Sequence, residues 1–288
     1  MFAARHRLGR DTMRILLDRS TRAIARVFEQ GSKRLEASSN YASHTLAGIV
    51  ARRTGRDREA FVAEQRGAIL ALARLAKAGK ANLYTTRIGF DEGIRVATWP
   101  DPAQELDIFS NSGVTNFEWV QLPFDFAKIL GFYGNDLGDA ERYKQTLRTV
   151  TDPQFVKGVL KNPSAFGFSD AEVKNLSAIA PVLRAAGPNS EHLLDVFQLW
   201  TAEVNGIPYF VTCDKTFIRF MTDTMKNPFA SKPILPSKLC SEQSVAFNAL
   251  GPTHENDFYT WAEAPLTQLI KAHDRGEAPP RAFQSQDT

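Results

Sequence analysis

The chain has 288 residues, 43% of them hydrophobic and 23% charged, with a formal net charge of +3. That length and composition bury a large core and fit one enlarged domain or two small ones. No run of about eighteen apolar residues offers a membrane span, the start MFAARHRLGR lacks the apolar core of a secretory signal, and Cys213 and Cys240 have no metal-ligand spacing, so a cytoplasmic protein without disulfides or membrane contact is expected.

Residues 1–12 read as a basic leader. Met13-Arg14-Ile15-Leu16-Leu17 then gives an apolar strand that ends on Asp18-Arg19-Ser20-Thr21, with a helical run continuing through Phe28. From Glu59 to Lys80, apolar residues at Phe61, Val62, Ile69, Leu70, Leu72, Ala73 and Leu75 predict a long amphipathic helix stopped by Gly79, which delivers an extended run at Leu83-Tyr84-Thr85-Thr86. Asp91 and Glu92 follow that run. One of the two is expected to point inward.

Between Trp99 and Phe132 the prolines Pro100, Pro102 and Pro123 and Gly113 lie among aromatic residues, a composition for loops and short helices. The aromatics Phe117, Trp119, Phe124, Phe126, Phe132 and Tyr133 are expected to fill a core rather than to stack bases. Helices dominate from Glu141 to Ala186, one of them starting at an N-cap, Ser169, with Glu172 in its first turn.

The most informative stretch is Asn189 to Asp214. Ser190 as N-cap and apolar residues through Ala202 predict a helix ending at Asn205-Gly206; Tyr209 to Thr212 then reads as a buried parallel strand that gives way to Cys213-Asp214-Lys215 and a new helix. Asp195 lies early in the first of these helices, within reach of the same edge. A short extended run follows at Pro233-Ile234-Leu235. After Gly251 an amphipathic stretch to Ala272 and a polar tail close the chain.

Alternating strands and helices predict an α/β fold with a parallel sheet, and ligands bind beyond the carboxyl ends of such strands. Asp18 and Asp214 would meet there, with Asp195 and Glu92 beside them. Carboxylates clustered in a cleft repel unless cations neutralise them, and hard oxygen donors suit Mg²⁺ or Mn²⁺, ions that serve phosphodiester hydrolysis. The charge distribution supports a phosphate-bearing substrate: residues 1–88 hold 18 Lys and Arg against 7 Asp and Glu, and residues 89–288 hold 17 against 25. The bland reading of each acid is a helix cap or turn residue, and that of the arginines a solvated helix face.

In its Leu16-Leu17-Asp18-Arg19-Ser20 opening, its Thr85-Thr86 segment followed by Glu92, and its His192-Leu193-Leu194-Asp195 to Thr212-Cys213-Asp214-Lys215 close, the chain resembles the PIN-domain nucleases. The resemblance implies a three-layer α/β/α sandwich around a central parallel sheet, spanning residues 13–247 and enlarged by helical insertions at about 30–80 and 99–187, with residues 248–288 as a C-terminal helix and tail. It implies Asp18, Glu92, Asp195 and Asp214 as the catalytic and metal-binding acids and Ser20 and Thr212 as hydroxyls that orient them; the basic residues Arg14, Arg19 and Arg22 of the first strand-helix unit, with Lys215, are expected to bind RNA. The activity implied is cleavage of single-stranded or structured RNA by an endoribonuclease with Mg²⁺ or Mn²⁺, in a chain that forms a homodimer or takes an inhibitory or recruiting protein partner. Both acid intervals are longer than in compact family members. A catalytically inactive nucleic-acid-binding or scaffolding module and an α/β metal-dependent phosphatase are the alternative functions.

Overall fold

The computed structural model describes residues 12–35, 44–51, 58–86, 88, 107–114, 117–130, 139–250, 258–259 and 265–277. The chain divides into two compact units, one formed by Met1–Ser20, Asn82–Ala97 and Phe117–Leu235, the other by Thr21–Ala81, Thr98–Asn116 and Pro236–Thr288. The class is α/β, with the central parallel sheet of a three-layer α/β/α sandwich. No helix among the described residues is long and apolar enough to cross a membrane.

Five strands make the parallel sheet: β1 (Met13–Leu17), β4 (Ala81–Thr85), β5 (Glu118–Trp119), β6 (Tyr209–Val211) and β7 (Lys232–Ile234), in the order β5-β4-β1-β6-β7. The apolar runs predicted to be strands are strands because they fill the interior: Ile15, Leu16, Phe210 and Val211 are fully buried. The pairing of β1 with β6 sets Ile15 against Tyr209, Leu16 against Phe210 and Leu17 against Val211. β5, a two-residue edge strand on β4, falls in the segment read as loops and short helices.

After the short α4 (Ala127–Leu130), four helices build most of the first unit's core: α5 (Asp139–Thr151), α6 (Pro153–Lys161), α7 (Asp170–Ala186) and α8 (Leu193–Val204). Leu176, Ile179 and Leu183 of α7 and Val196, Phe197 and Leu199 of α8 share one buried cluster with Leu16 and Phe210. Phe124 and Phe126 belong to it, with the Phe126 and Phe197 rings 5.1 Å apart, so the expected core role holds for these two; Trp119, on the two-residue edge strand, is instead 57% exposed, and Phe132 and Tyr133 lie outside the described residues. Asp152 caps α6 through the Gln154 amide; Ser169 and Glu172 form a reciprocal capping box on α7.

The α8 helix starts later than predicted. Ser190 accepts a hydrogen bond from the His192 amide and so shapes a turn, and the regular helix begins at Leu193. Its end is as predicted: Gly206, at a φ of +62°, reverses the chain in the left-handed region that a side chain would strain. Arg14 fixes this end by donating to the carbonyls of Gly206 (2.9 Å) and Asn205 (3.0 Å) while lying over the Tyr84 ring.

In the second unit, helix α1 (Arg19–Ala25), which begins in the first, stops short of the predicted Phe28. Phe28–Leu35 and His44–Ala51 instead form β2 and β3, an antiparallel pair extended by β8 (Phe258–Tyr259), so the expected helical insertion at 30–80 is part sheet. FEQGSKRL has no apolar repeat at helical spacing, and its backbone is satisfied by β3, a partner that local periodicity does not reveal. The predicted amphipathic helix is α2 (Glu59–Lys77), whose Ile69, Leu70, Leu72 and Ala73 are buried. The unit also holds the short α3 (Ile108–Asn111), α10 (Pro236–Glu242) and α11 (Pro265–Arg275). Buried Gln65 is satisfied by Ser237 of α10, which accepts from its amide and donates its backbone N–H in return.

Gly67 of α2 lies beneath the backbone of residues 248–249, and a Cβ there would collide with the carbonyl oxygen of Asn248. In an open helix, Gly→Ala stabilises by up to about 1 kcal/mol. Here the sign is expected to invert: Gly67→Ala should lower the thermal midpoint in circular dichroism, and a raised midpoint would show that residues 248–249 do not press on α2.

Candidate functional site

The site grows from the carboxyl ends of β1 and β6. Asp18 follows β1 directly, its amide donating to the Val211 carbonyl at 2.9 Å, so the strand pairing continues into the loop that bears the carboxylate. One oxygen of Asp18, Oδ1, accepts from the Arg19 amide (2.6 Å); Oδ2 accepts from the Ser20 amide (3.1 Å), the Ser20 hydroxyl and the Thr212 hydroxyl (2.8 Å). The two hydroxyls lie 3.0 Å apart. Each also accepts a backbone N–H from the β6 end, Ser20 from Cys213 and Thr212 from Asp214. Asp18 is thus a buried junction between the strand ends.

Asp214 closes β6 and caps α9 (Lys215–Arg219), where its Oδ1 accepts from the Thr216 amide and hydroxyl and from the Phe217 amide. All three bonds fall on Oδ1. Oδ2 makes no hydrogen bond among the described residues. Asp195, in the first turn of α8, is three residues after His192, and Asp195 Oδ2 lies 3.8 Å from His192 Nδ1. The other ring nitrogen of His192, Nε2, lies 3.6 Å from Glu191. Buried between Phe217 and Phe220, the imidazole brings one donor atom within 4.8 Å of donors on both Asp195 and Asp214.

The environments of the two acids split them. Burial, together with the like charges of Asp18 and Asp214, pushes the Asp195 carboxyl up to about 6, against the pull of His192. Burial also raises Asp214, but the hydrogen bonds from Thr216 and Phe217 outweigh it and hold that carboxyl below its ordinary value. The Asp195 carboxylate lifts His192 above the ordinary imidazole range, opposed by burial and helped by the charges of Asp214 and Glu191.

One nitrogen and two carboxylate oxygens at this spacing suit a divalent cation. The geometry therefore unites two of the four expected acids, Asp195 and Asp214, with a histidine that the acid-only reading passed over. Asp18 stands outside the three-donor group, because its oxygens are turned onto Ser20 and Thr212. Glu92 and Asp91 lie outside the described residues. The histidine had a signal in the sequence, His-x-x-Asp at the start of an apolar helix, which places both side chains on one face. A further residue extends that face: Gln198 is buried, its carbonyl oxygen 3.4 Å from the Thr86 hydroxyl and its Nε2 without a hydrogen-bond partner among the described residues.

Of the expected cationic residues, Arg19 and Lys215 are exposed and immediately follow Asp18 and Asp214. Arg14 sits at the opposite end of β1, about 13 Å away at about 3.3 Å per residue, engaged with the end of α8. Arg22 is half-buried in the second unit, its charge disfavoured by burial and supported by Asp107. No family model matches the chain, and neither a curated protein nor a solved structure matches it.

With its folded-state carboxyl near 6 and an ordinary value of 3.8, Asp195 favours the folded state fully only when protonated, below about pH 4, and loses that contribution as pH rises through 6. His192, raised above 6.5, adds stability below its ordinary value that is lost on the alkaline side, so the two slopes have the same sign. In EDTA, Asp195→Asn is therefore expected to stabilise the protein at pH 7.5, by about 1–3 kcal/mol, and far less at pH 4. Urea denaturation at the two pH values checks this; a gain that does not grow with pH would contradict the burial of a charged Asp195.

Proposed function

We propose that the chain is a PIN-like, metal-dependent endoribonuclease of the cytoplasm that hydrolyses RNA phosphodiester bonds. The observation that carries this reading is the convergence of His192, Asp195 and Asp214 donors within 4.8 Å at the carboxyl end of a parallel strand. His192, Asp195 and Asp214 would hold Mg²⁺ or Mn²⁺, and such an ion, when bound, supplies hydroxide near neutral pH and neutralises charge on the phosphate oxygens.

The protein's own groups prepare that chemistry. Asp214 ties one oxygen to the start of α9 and presents the other, so its orientation is set before a cation arrives. Asp18 holds Ser20 and Thr212, and Thr212 in turn accepts the Asp214 amide, which locks the backbone from which Asp214 projects. Arg19 and Lys215, exposed beside the acids, supply positive charge for phosphates.

One observation favours a second reading. Asp18 and Asp214 both accept backbone amides at helix starts, as they would in a nucleic-acid-binding module without catalysis. Incubation with end-labelled, mixed-sequence single-stranded RNA separates the two. Internal cleavage is expected with Mn²⁺ or Mg²⁺, none with EDTA, and a loss of about a hundredfold or more in Asp195→Asn and Asp214→Asn with RNA binding retained. RNA binding without any metal-dependent cleavage would select the non-catalytic module.

A further inference from the structure

We infer that His192 is a direct nitrogen donor to the cation, which makes the site a mixed imidazole–carboxylate centre selective for a transition ion such as Mn²⁺ over Mg²⁺; this rests on the metal-site reading above and narrows it.

His192 is 8% exposed, and its ring nitrogens face two carboxylates rather than a hydrogen-bond partner. Neither nitrogen has one among the described residues: Nδ1 lies 3.8 Å from Asp195 and Nε2 lies 3.6 Å from Glu191, both beyond hydrogen-bond length. A separation of 3.8 Å is too long for a shared proton, whereas donors on opposite sides of a cation do not approach one another more closely than its radius allows. Phe220 and Phe217 flank the ring, with centroids 5.0 and 5.8 Å from its own.

The outer contact points the same way. A metal-ligating histidine directs its second nitrogen at a carboxylate, carbonyl or water, which fixes the tautomer and raises the basicity of the ligating nitrogen, and Glu191 is the carboxylate on that side. Mg²⁺ demands oxygen donors and sheds its waters reluctantly, whereas imidazole suits first-row transition ions. Replacing one oxygen donor by His192 therefore penalises Mg²⁺ more than Mn²⁺.

The test loads the full chain with Mn²⁺ alone, without RNA. Calorimetric titration with Mn²⁺ and with Mg²⁺ gives the selectivity, and pulsed electron paramagnetic resonance of the Mn²⁺ protein reads nitrogen coordination through its ¹⁴N modulation. The wild type is expected to show imidazole modulation and to bind Mn²⁺ more tightly than Mg²⁺. In His192→Asp, which keeps three donors but makes all of them oxygen, the modulation should vanish and the Mn²⁺-over-Mg²⁺ preference should fall by about tenfold or more. Mn²⁺ binding that depends on Asp195 and Asp214 but shows no ¹⁴N modulation would overturn the assignment of His192 and leave the metal site standing. Absence of Mn²⁺ binding that depends on those acids would overturn both. The wild-type spectrum decides the donor question even if the variant does not fold.

Discussion

The parallel pairing of β1 with β6 is the constraint on which the site depends. Leu16 against Phe210 and Leu17 against Val211 bring together segments almost two hundred residues apart, and the Asp18 amide extends the ladder to the Val211 carbonyl. Beyond that bond the strands would part, but Ser20 and Thr212 hold them: each hydroxyl donates to the Asp18 carboxylate and accepts an amide from the β6 end, Ser20 from Cys213 across the strands and Thr212 from Asp214 on its own strand end. A buried carboxylate with this many donors is well compensated, which is how Asp18 is accommodated with 4% of its surface exposed.

The α8 helix is the second fixed part. Its C-terminal end is tied down twice, by Arg14 on the carbonyls of Asn205 and Gly206 and by Glu203, which accepts the Ser231 amide at 2.7 Å beside β7. Since the chain turns at Gly206 and runs straight into β6, the start of α8 lies toward the end of the sheet where β6 finishes. His192 and Asp195 are on that first turn. A rigid helix held at its far end presents them with little conformational entropy left to lose on binding.

Chemically similar groups acquire different properties within this small space. Asp195 has few hydrogen-bond donors and two like charges near it, so ionisation is disfavoured; Asp214 sits at a helix start whose amides stabilise its charge. Such divergence between neighbouring carboxyls is a common mark of a functional cleft.

The sequence by itself determined the local elements that carry the site. Continuous apolar runs at 13–17 and 209–211, a long stripe through α2, the capping box at Ser169 and the Gly206 reversal are all written in nearest-neighbour chemistry, and with them the α/β class and the position of Asp18 and Asp214 at strand ends. Tertiary structure alone decided which of these residues meet. The strand identity of Phe28–Leu35 and His44–Ala51 depends on a cross-strand partner, and the separation of Asp18 from the donor group depends on hydroxyls that reach it from both strand ends. The entry of His192 required the Phe217 and Phe220 rings to hold the imidazole against Asp195, because spacing places two side chains on one helix face but only packing fixes where they point.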